Sequence, residues 1–310
     1  MTKLDNSNIS VHLGQTSQYK DQYDSNLLVR EPRSNNRKHL DISDDDLPFV
    51  GYDTWNAYEV SGLTNGGLPV AGVAKIVYPC DSKYIVESKS IKLYFNSFNM
   101  FKCGTSQESV LEFISLHASD DLSKLLETHV EVHVIPSNIK ASGDPLFSRK
   151  GYTTLEEVLD PQLLTDMNVE TYTETPDLLE LEDLPEGGIV TSWSKFHSGL
   201  LKSNCRVTSQ PDWGDVWIAI KGQNHVTPES MLKYIISFRD ECHFHEEICE
   251  TIYKRLLDIL SPEKLVVTCL YARRGGIDIN PVRANDKSSI DWACPALIDV
   301  KTPHVKTSKQ

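Results

Sequence analysis

Apolar residues recur at every second position in Val216, Ile218 and Ile220, which predicts a strand over Val216 to Lys221. Val70 to Tyr78, Val130 to Ile135 and Leu265 to Tyr271 are further apolar runs of strand length. Between them the period changes. From Gln107 to Leu126 the apolar residues Val110, Leu111, Phe113, Ile114, Leu122, Leu125 and Leu126 follow helical spacing. From Glu246 to Leu260 the residues Ile248, Ile252, Leu256, Leu257 and Leu260 do the same. The order repeats. Tyr94, Ser97 and Phe98 in the stretch Lys92 to Phe98 return as Tyr234, Ser237 and Phe238 in the stretch Leu232 to Phe238. Each stretch follows a strand-like run and precedes an amphipathic helix and another apolar run. The unit is strand, strand, helix, helix, strand, strand, present twice. An α+β fold satisfies it, with antiparallel sheets and helices packed on one face.

The chain has 310 residues, enough for two domains at roughly 150 each. The repeats set their limits at 48–140 and 190–310. Residues 1–47 are polar and predict an extended arm with little regular structure, able to pack through Leu27, Leu28 and Val29. Residues 141–189 form an acidic connector. From Leu155 to Gly188 there are eleven acids and no Lys or Arg. Pro161, Pro176, Pro185 and the Gly187-Gly188 pair punctuate this segment, which reads as a surface connector with a short strand near Val169 to Tyr172.

Charge narrows the partners. With 31 Lys+Arg against 44 Asp+Glu the net charge is −13, and the stretch Leu155 to Gly188 carries 11 of those 13. No broad basic face remains for direct contact with nucleic acid. No apolar run approaches the ~18 residues of a membrane helix, and the polar N-terminus lacks a secretory pattern. Seven irregularly spaced cysteines read as free thiols, which places the protein in the cytoplasm.

Four stretches carry candidate chemistry. Cys205 and Asp212 lie seven residues apart, across Pro211, and a strand that turns back would bring them to one pocket. Spacing alone makes Cys205 a buried thiol as readily as a nucleophile. Asp212 beside it suits a proton donor whose pKa burial raises, because a carboxylate does not favour a thiolate. In Cys242-His243-Phe244-His245-Glu246-Glu247 a zinc reading lacks any CxxC pair, so no metal is expected. His245 and Glu246 would open a helix, either as a plain cap or with the carboxylate accepting from a guanine-type edge. Ser88, Lys89 and Lys92 form either a solvated charged turn or a phosphate contact at a helix start. Arg273-Arg274-Gly275-Gly276 is a weak anion-site signal and matches neither a GxGxxG nor a P-loop.

In combination these stretches resemble the 7-cyano-7-deazaguanine reductases, the NADPH-dependent nitrile reductases of queuosine biosynthesis, in their long two-domain form. The resemblance begins at Leu13-Gly14 and Tyr23-Asp24 and passes through Pro32-Arg33 and Asn36-Arg37. It is strongest at Glu87 to Phe98, Leu200 to Gly214, Ser237 to Glu247 and Arg273 to Pro281. It implies tandem tunnelling-fold (T-fold) domains, a deazapurine nitrile substrate, NADPH as cofactor and a homodimer. It also implies roles for particular residues. Cys205 matches the nucleophile and Asp212 the proton donor. Val86, Glu87, Ser88, His245 and Glu246 match substrate-binding positions. Ser88, Lys89, Arg274 and Gly275 match cofactor-binding positions. Two readings compete: a zinc-dependent pterin-type cyclohydrolase of the same fold, which needs a metal-ligand set, and a purine-binding module without catalysis, which needs no nucleophile.

Overall fold

A computed structural model describes residues 20–137, 151–183, 191–303, 307, 309 and 310. Leu13-Gly14, Pro185 and the Gly187-Gly188 pair lie outside the described residues. The first repeat runs β1 (Val50–Thr64), β2 (Pro69–Pro79), α1 (Ser88–Asn96), α2 (Gln107–Leu126) and β3 (Glu131–Pro136). The second runs β4 (Ser192–Ser198), β5 (Lys202–Cys205), β6 (Pro211–Gly222), α3 (Pro228–Ser237), α4 (His245–Leu260), β7 (Lys264–Tyr271) and β8 (Ile277–Ala284). The expected order is therefore present, with two strands after the helices in the second repeat and one among the described residues of the first.

The repeats share one sheet. β6 is flanked by β4 and β5 on one side and β7 on the other, and the order continues β7, β8, β1, β2, β3. The seam is the antiparallel pairing of β8 with β1, which runs from Ile277 opposite Ala57 to Ala284 opposite Val50. α1 and α2 bury Ile91, Tyr94, Val110, Ile114 and Leu122 against the first repeat's strands. α3 and α4 bury Met231, Ile235, Ile248, Ile252 and Leu256 against Ile218, Ile220 and Val267 of the second. A period of 3.6 on the helices thus meets a period of 2 on the strands, as their patterns require.

Helices are not confined to one face. Trp217, Ala219, Val266, Leu270, Val282 and Ala284 point the other way, and Ile290 and Leu297 from the short helices Lys287–Ala293 and Pro295–Ile298 cover them. The reason is composition. β6 carries Trp217 and Ala219 between its Ile and Val residues, so both faces need cover.

The arm and the connector are more structured than their polarity suggests. Arg30–Pro32 pairs antiparallel with Tyr84–Val86, and Leu28 is buried in the first repeat's core. Arg33, Asn36 and Arg37 are also buried. In the connector, Leu155, Leu159 and Leu179 are buried in the second repeat's core. Glu174 accepts from Tyr234 Oη at 2.9 Å and Arg255 Nε at 3.1 Å. The strand expected at Val169 to Tyr172 does not form. Among the described residues no strand pairs with it, and that stretch is anchored instead by the Asp240 N–H, which donates to the Tyr172 carbonyl at 2.8 Å.

Candidate active site

A cavity of about 290 Å³ opens between the repeats. Val86, Glu87, Ser88, Lys89, Cys205, Asp212, His245, Glu246, Arg274 and Gly275 all line it. The first four come from the end of a short strand and the start of α1, the next two from β5 and β6, and the rest from α4 and the turn between β7 and β8.

Local structure explains each placement. Asp212 pairs with Ser203 across the β5–β6 ladder, and the connecting turn closes through the Cys205 N–H, which donates to the Gln210 carbonyl at 2.8 Å. The two residues seven apart are thereby folded back onto one wall. Cys205 is half-buried. α4 begins at His245, where the Phe244 N–H donates to Glu247 Oε2 at 3.3 Å. Glu247 therefore caps the helix, which leaves His245 and Glu246 turned to the cavity. Glu87 sits at the head of α1, with its N–H on the Val29 carbonyl at 2.9 Å and its carbonyl accepting from Ser90 Oγ at 2.7 Å. Ser90 Oγ also accepts from the Val29 N–H at 3.0 Å, so the N-terminal arm stitches this motif in place. Gly275 and Gly276 hold φ of +57° and +79° in a tight turn, closed by the Arg274 N–H donating to the Ile277 carbonyl at 2.9 Å.

The electrostatics differ from expectation at Asp212. Burial acts to raise its pKa, but His245 and Arg274 together outweigh burial and hold the carboxyl below the usual range. The sequence could not show these partners, 33 and 62 residues further on. His245 Nε2 lies 3.5 Å from Asp212 Oδ2, and Arg274 Nη1 donates to Oδ1. Arg274 also donates to Gln210 Oε1 at 2.8 Å and faces Cys205. The His245 ring packs on Tyr271 with centroids 3.9 Å apart. Glu246 is the opposite case. Burial first, and then the charge of Asp53, pushes its pKa up to about 7. Its Oε1 is buried without a hydrogen-bond partner. A buried acceptor left open in this way costs about 1–3 kcal/mol until a ligand supplies a donor.

Several lining residues were missed. In the sequence His243 reads only as part of a zinc-like Cys/His cluster. Burial opposes its charge, but Glu241 at 2.8 Å and Glu247 at 2.9 Å push its pKa up to about 9. Its nitrogens are thus committed to carboxylates. Among the described residues no three His, Cys, Asp or Glu side chains are placed to hold a metal ion. Trp55, Ile277 and Ile279 supply an apolar wall from the seam, and Glu31 reaches the cavity from the arm. Nothing in their local sequence marks them, because the register of β1 on β8 brings them there. Arg273 is separated from its neighbour. Its guanidinium stacks on Tyr58, 3.4 Å from the ring centroid, and it does not line the cavity.

Three cations, Lys89, Lys92 and Arg274, border the cavity beside the bare backbone of Gly275. A Cβ added at Gly275 would meet the Lys92 side chain at 3.8 Å. This donor set suits the phosphates of a dinucleotide, so the residues present fit NADPH.

Residues 19–134 match the family described as nitrile reductase, 7-cyano-7-deazaguanine-reductase N-term. Residues 211–289 match the family described as QueF-like protein. Glu87, Asp212, His245, Glu246 and Arg274 fall inside these spans, and Cys205 lies just ahead of the second. The chain is 43% identical over 277 residues to an NADPH-dependent 7-cyano-7-deazaguanine reductase of Rickettsia massiliae (strain Mtu5), covering 89% of this chain and 93% of that one. It is 39% identical over 282 residues to a protein of the same name in Legionella pneumophila (strain Lens), covering 90% and 91%. The crystal structure of the archaeosine synthase QueF-Like in the apo form matches 30% of this chain and 90% of that chain at 19% identity, with a TM-score of 0.27.

Proposed function

We propose, since the chain belongs to the family of NADPH-dependent 7-cyano-7-deazaguanine reductases, that it reduces the nitrile of 7-cyano-7-deazaguanine to the primary amine 7-aminomethyl-7-deazaguanine. The observation that carries the reading is the convergence of Cys205, Asp212, His245 and Glu246 on one cavity, with the cations of the cofactor motifs at its border. The twice-repeated element order supports a tandem tunnelling fold for the chain.

The buried Glu246 carboxylate, with its open Oε1, accepts from the N–H groups on the guanine-like edge of the base. Glu87 stands at the cavity from the other repeat, and Trp55 and Phe244 give the flat ring apolar walls. Cys205 adds to the nitrile carbon. A C–S bond forms and one C–N π bond breaks, while the Asp212 carboxylate takes the proton that leaves the Cys205 thiol and passes it to the nitrogen, so that S–H is added across the triple bond. The product is a thioimide held on Cys205. Bound NADPH supplies hydride, twice per turnover. After the first reduction the C–S bond breaks and the thiol recovers its proton. Arg274, Lys89 and Lys92 orient the cofactor through its phosphates. His245 relays protons to and from Asp212, which it adjoins at 3.5 Å.

The test is intact mass after incubation with 7-cyano-7-deazaguanine in the absence of NADPH. The wild type should gain the ligand's mass, and Cys205→Ala should not. A folded wild type that binds the base yet never gains mass overturns the covalent mechanism.

A further inference from the structure

The turn that follows Cys205 is oriented by side chains. β5 is secured up to Cys205 by β6 on one side and by Cys242-His243 on the other, where His243 pairs with Cys205 in parallel register. The chain then leaves both ladders and doubles back through residues 206–210, with Ser209 at a φ of +54° and its N–H on the Cys205 carbonyl at 2.9 Å. Arg206 ties this turn to the rest of the protein. It does not line the cavity. Behind the cavity wall its Nη2 donates to Glu247 Oε1 at 2.8 Å and its Nη1 to Asn36 Oδ1 of the arm at 2.6 Å, and its guanidinium lies 5.3 Å from the Phe244 ring centroid. Both partners are buried, although Arg206 itself is partly exposed. Glu247 has a second duty. Its Oε2 accepts from the Phe244 N–H and caps α4, while its Oε1 also meets His243 Nδ1 at 2.9 Å. A cap needs one acceptor. Here one buried carboxylate fixes both the start of the helix that carries His245 and Glu246 and the turn that carries the thiol.

Resting on the reading above, we propose that the Arg206–Glu247 pair is a strut that sets the position of the Cys205 thiol relative to the nitrile. Arg206 and Glu247 are positioning residues, acting through Cys205 and the start of α4. Attack needs the sulfur within about 3–3.5 Å of the carbon and aligned with it, and a misplacement of about 1 Å can cost ~10²-fold in rate. The base is held by Glu246 at the head of α4, whereas the sulfur rides on the turn. The strut joins the two, and the planar fork of an arginine, engaged on two partners at once, leaves the turn little freedom. The rival reading is that Arg206 acts by charge and favours the Cys205 thiolate. The two differ at Glu247. A strut fails when either end is removed, but the field of a cation at the thiol grows when its neighbouring carboxylate is neutralised.

The test times adduct formation by quenched intact mass, with saturating 7-cyano-7-deazaguanine and no NADPH, in the wild type, Arg206→Leu, Glu247→Gln and the double variant. Base affinity is measured by calorimetry for each on a Cys205→Ala background. In Glu247→Gln the one remaining acceptor oxygen can serve the cap or the guanidinium, not both. Each single variant should form the adduct at least about tenfold more slowly, with base affinity within about threefold of the Cys205→Ala parent, and the double variant should be no slower than the slower single. Arg206→Lys, which keeps the charge and loses the fork, should be slowed by the same criterion, and it carries the test if Arg206→Leu does not fold. A smaller loss of rate in either single variant, a loss of affinity beyond that limit, or losses that multiply in the double variant each overturn the strut and leave the role of Cys205 intact. A folded wild type that binds the base yet forms no adduct overturns the covalent reading, and the strut with it.

Discussion

Glu246 illustrates at residue scale how a buried carboxyl at the cavity is maintained against the stability of the fold. Its carboxyl has an ordinary pKa of 4.5 and is pushed up to about 7 by burial and by Asp53. A carboxyl with a raised folded-state pKa costs stability as pH climbs from 4.5 to 7, and the cost is constant above that. The difference of about 2.5 units corresponds to about 3 kcal/mol. Glu246→Gln should therefore raise stability at pH 8 by up to about 3 kcal/mol in urea unfolding, and leave it nearly unchanged at pH 4. The same variant should lose affinity for the deazapurine, because an amide offers that edge a donor where an acceptor is needed. The charge also sets a pH dependence. Only the ionised carboxylate accepts from both N–H groups, so base affinity in the wild type should rise about tenfold per unit below pH 7 and flatten above it. Calorimetric titration from pH 5.5 to 8.5 checks this, and a flat profile removes Glu246 from base recognition. The residue type and the helix start were legible in sequence. The raised pKa was not, because Asp53 lies almost 200 positions away and becomes a neighbour only through the sheet.

Among elements, the N-terminal arm departs most from its sequence. Its charged, aliphatic-poor composition predicts an extended arm with little regular structure, packing at most through Leu27, Leu28 and Val29, and no periodicity marks Arg33 or Arg37 as interior. Both are buried because their partners are. Arg37 grips Glu250 of α4 with Nε and Nη2, each at 2.8 Å, and Arg283 of β8 bonds the same Glu250 at 2.8 Å and Asp53 of β1 at 2.8 Å. Arg33 donates to Asp53 from the arm. Three guanidiniums and two carboxylates thus join the arm, both repeats and the sheet. Such a network contributes little against a well-packed apolar replacement, but breaking it strands a charge. Arg37→Leu should cost about 3–5 kcal/mol in urea unfolding. Asp44→Asn, which removes a partner of Arg37 that is 38% exposed, should cost no more than about 1 kcal/mol. Equal effects would mean that the network is dispensable. The network also sets acid stability. Burial works against ionising Asp53 and Glu250, but Arg283, with Arg33 and Arg37, holds both carboxyls below their ordinary values of 3.8 and 4.5. Groups lowered in this way stabilise fully above those values, and the contribution is lost as pH falls below them. Unfolding should therefore set in below about pH 4, and at higher pH in Arg37→Leu. The strand expected at Val169 to Tyr172 failed for a related reason. Local pattern can propose a strand, but only a neighbour with a free ladder makes one.

On the scale of the whole molecule, the duplication was legible and the seam was not. Alternation in strands and 3.6 spacing in helices are local, so each repeat announced its own elements. The pairing of β8 with β1 is set by register between segments more than 200 residues apart. That register brings Trp55, Ile277 and Ile279 to the cavity and sets Gly51 opposite Arg283. Gly51 has no room for a side chain. A Cβ there would lie 2.1 Å from the Val282 carbonyl oxygen and 2.9 Å from Arg283 Cδ. Gly51→Ala must push the two strands apart at the point where Arg283 enters the charge network. Overpacking of this kind costs typically 1–3 kcal/mol, and a displaced Arg283 adds to it. Because one sheet crosses the seam, its loss is a loss for both repeats. Wild-type calorimetry should show a single cooperative unfolding transition, and Gly51→Ala should lower its midpoint without splitting it. Base affinity in the variant should fall at temperatures where the protein is still folded, since Glu87 and Glu246 line the cavity from opposite sides of that seam. Two separate transitions in the wild type would mean that the repeats fold as independent units, with the cavity assembled from finished halves.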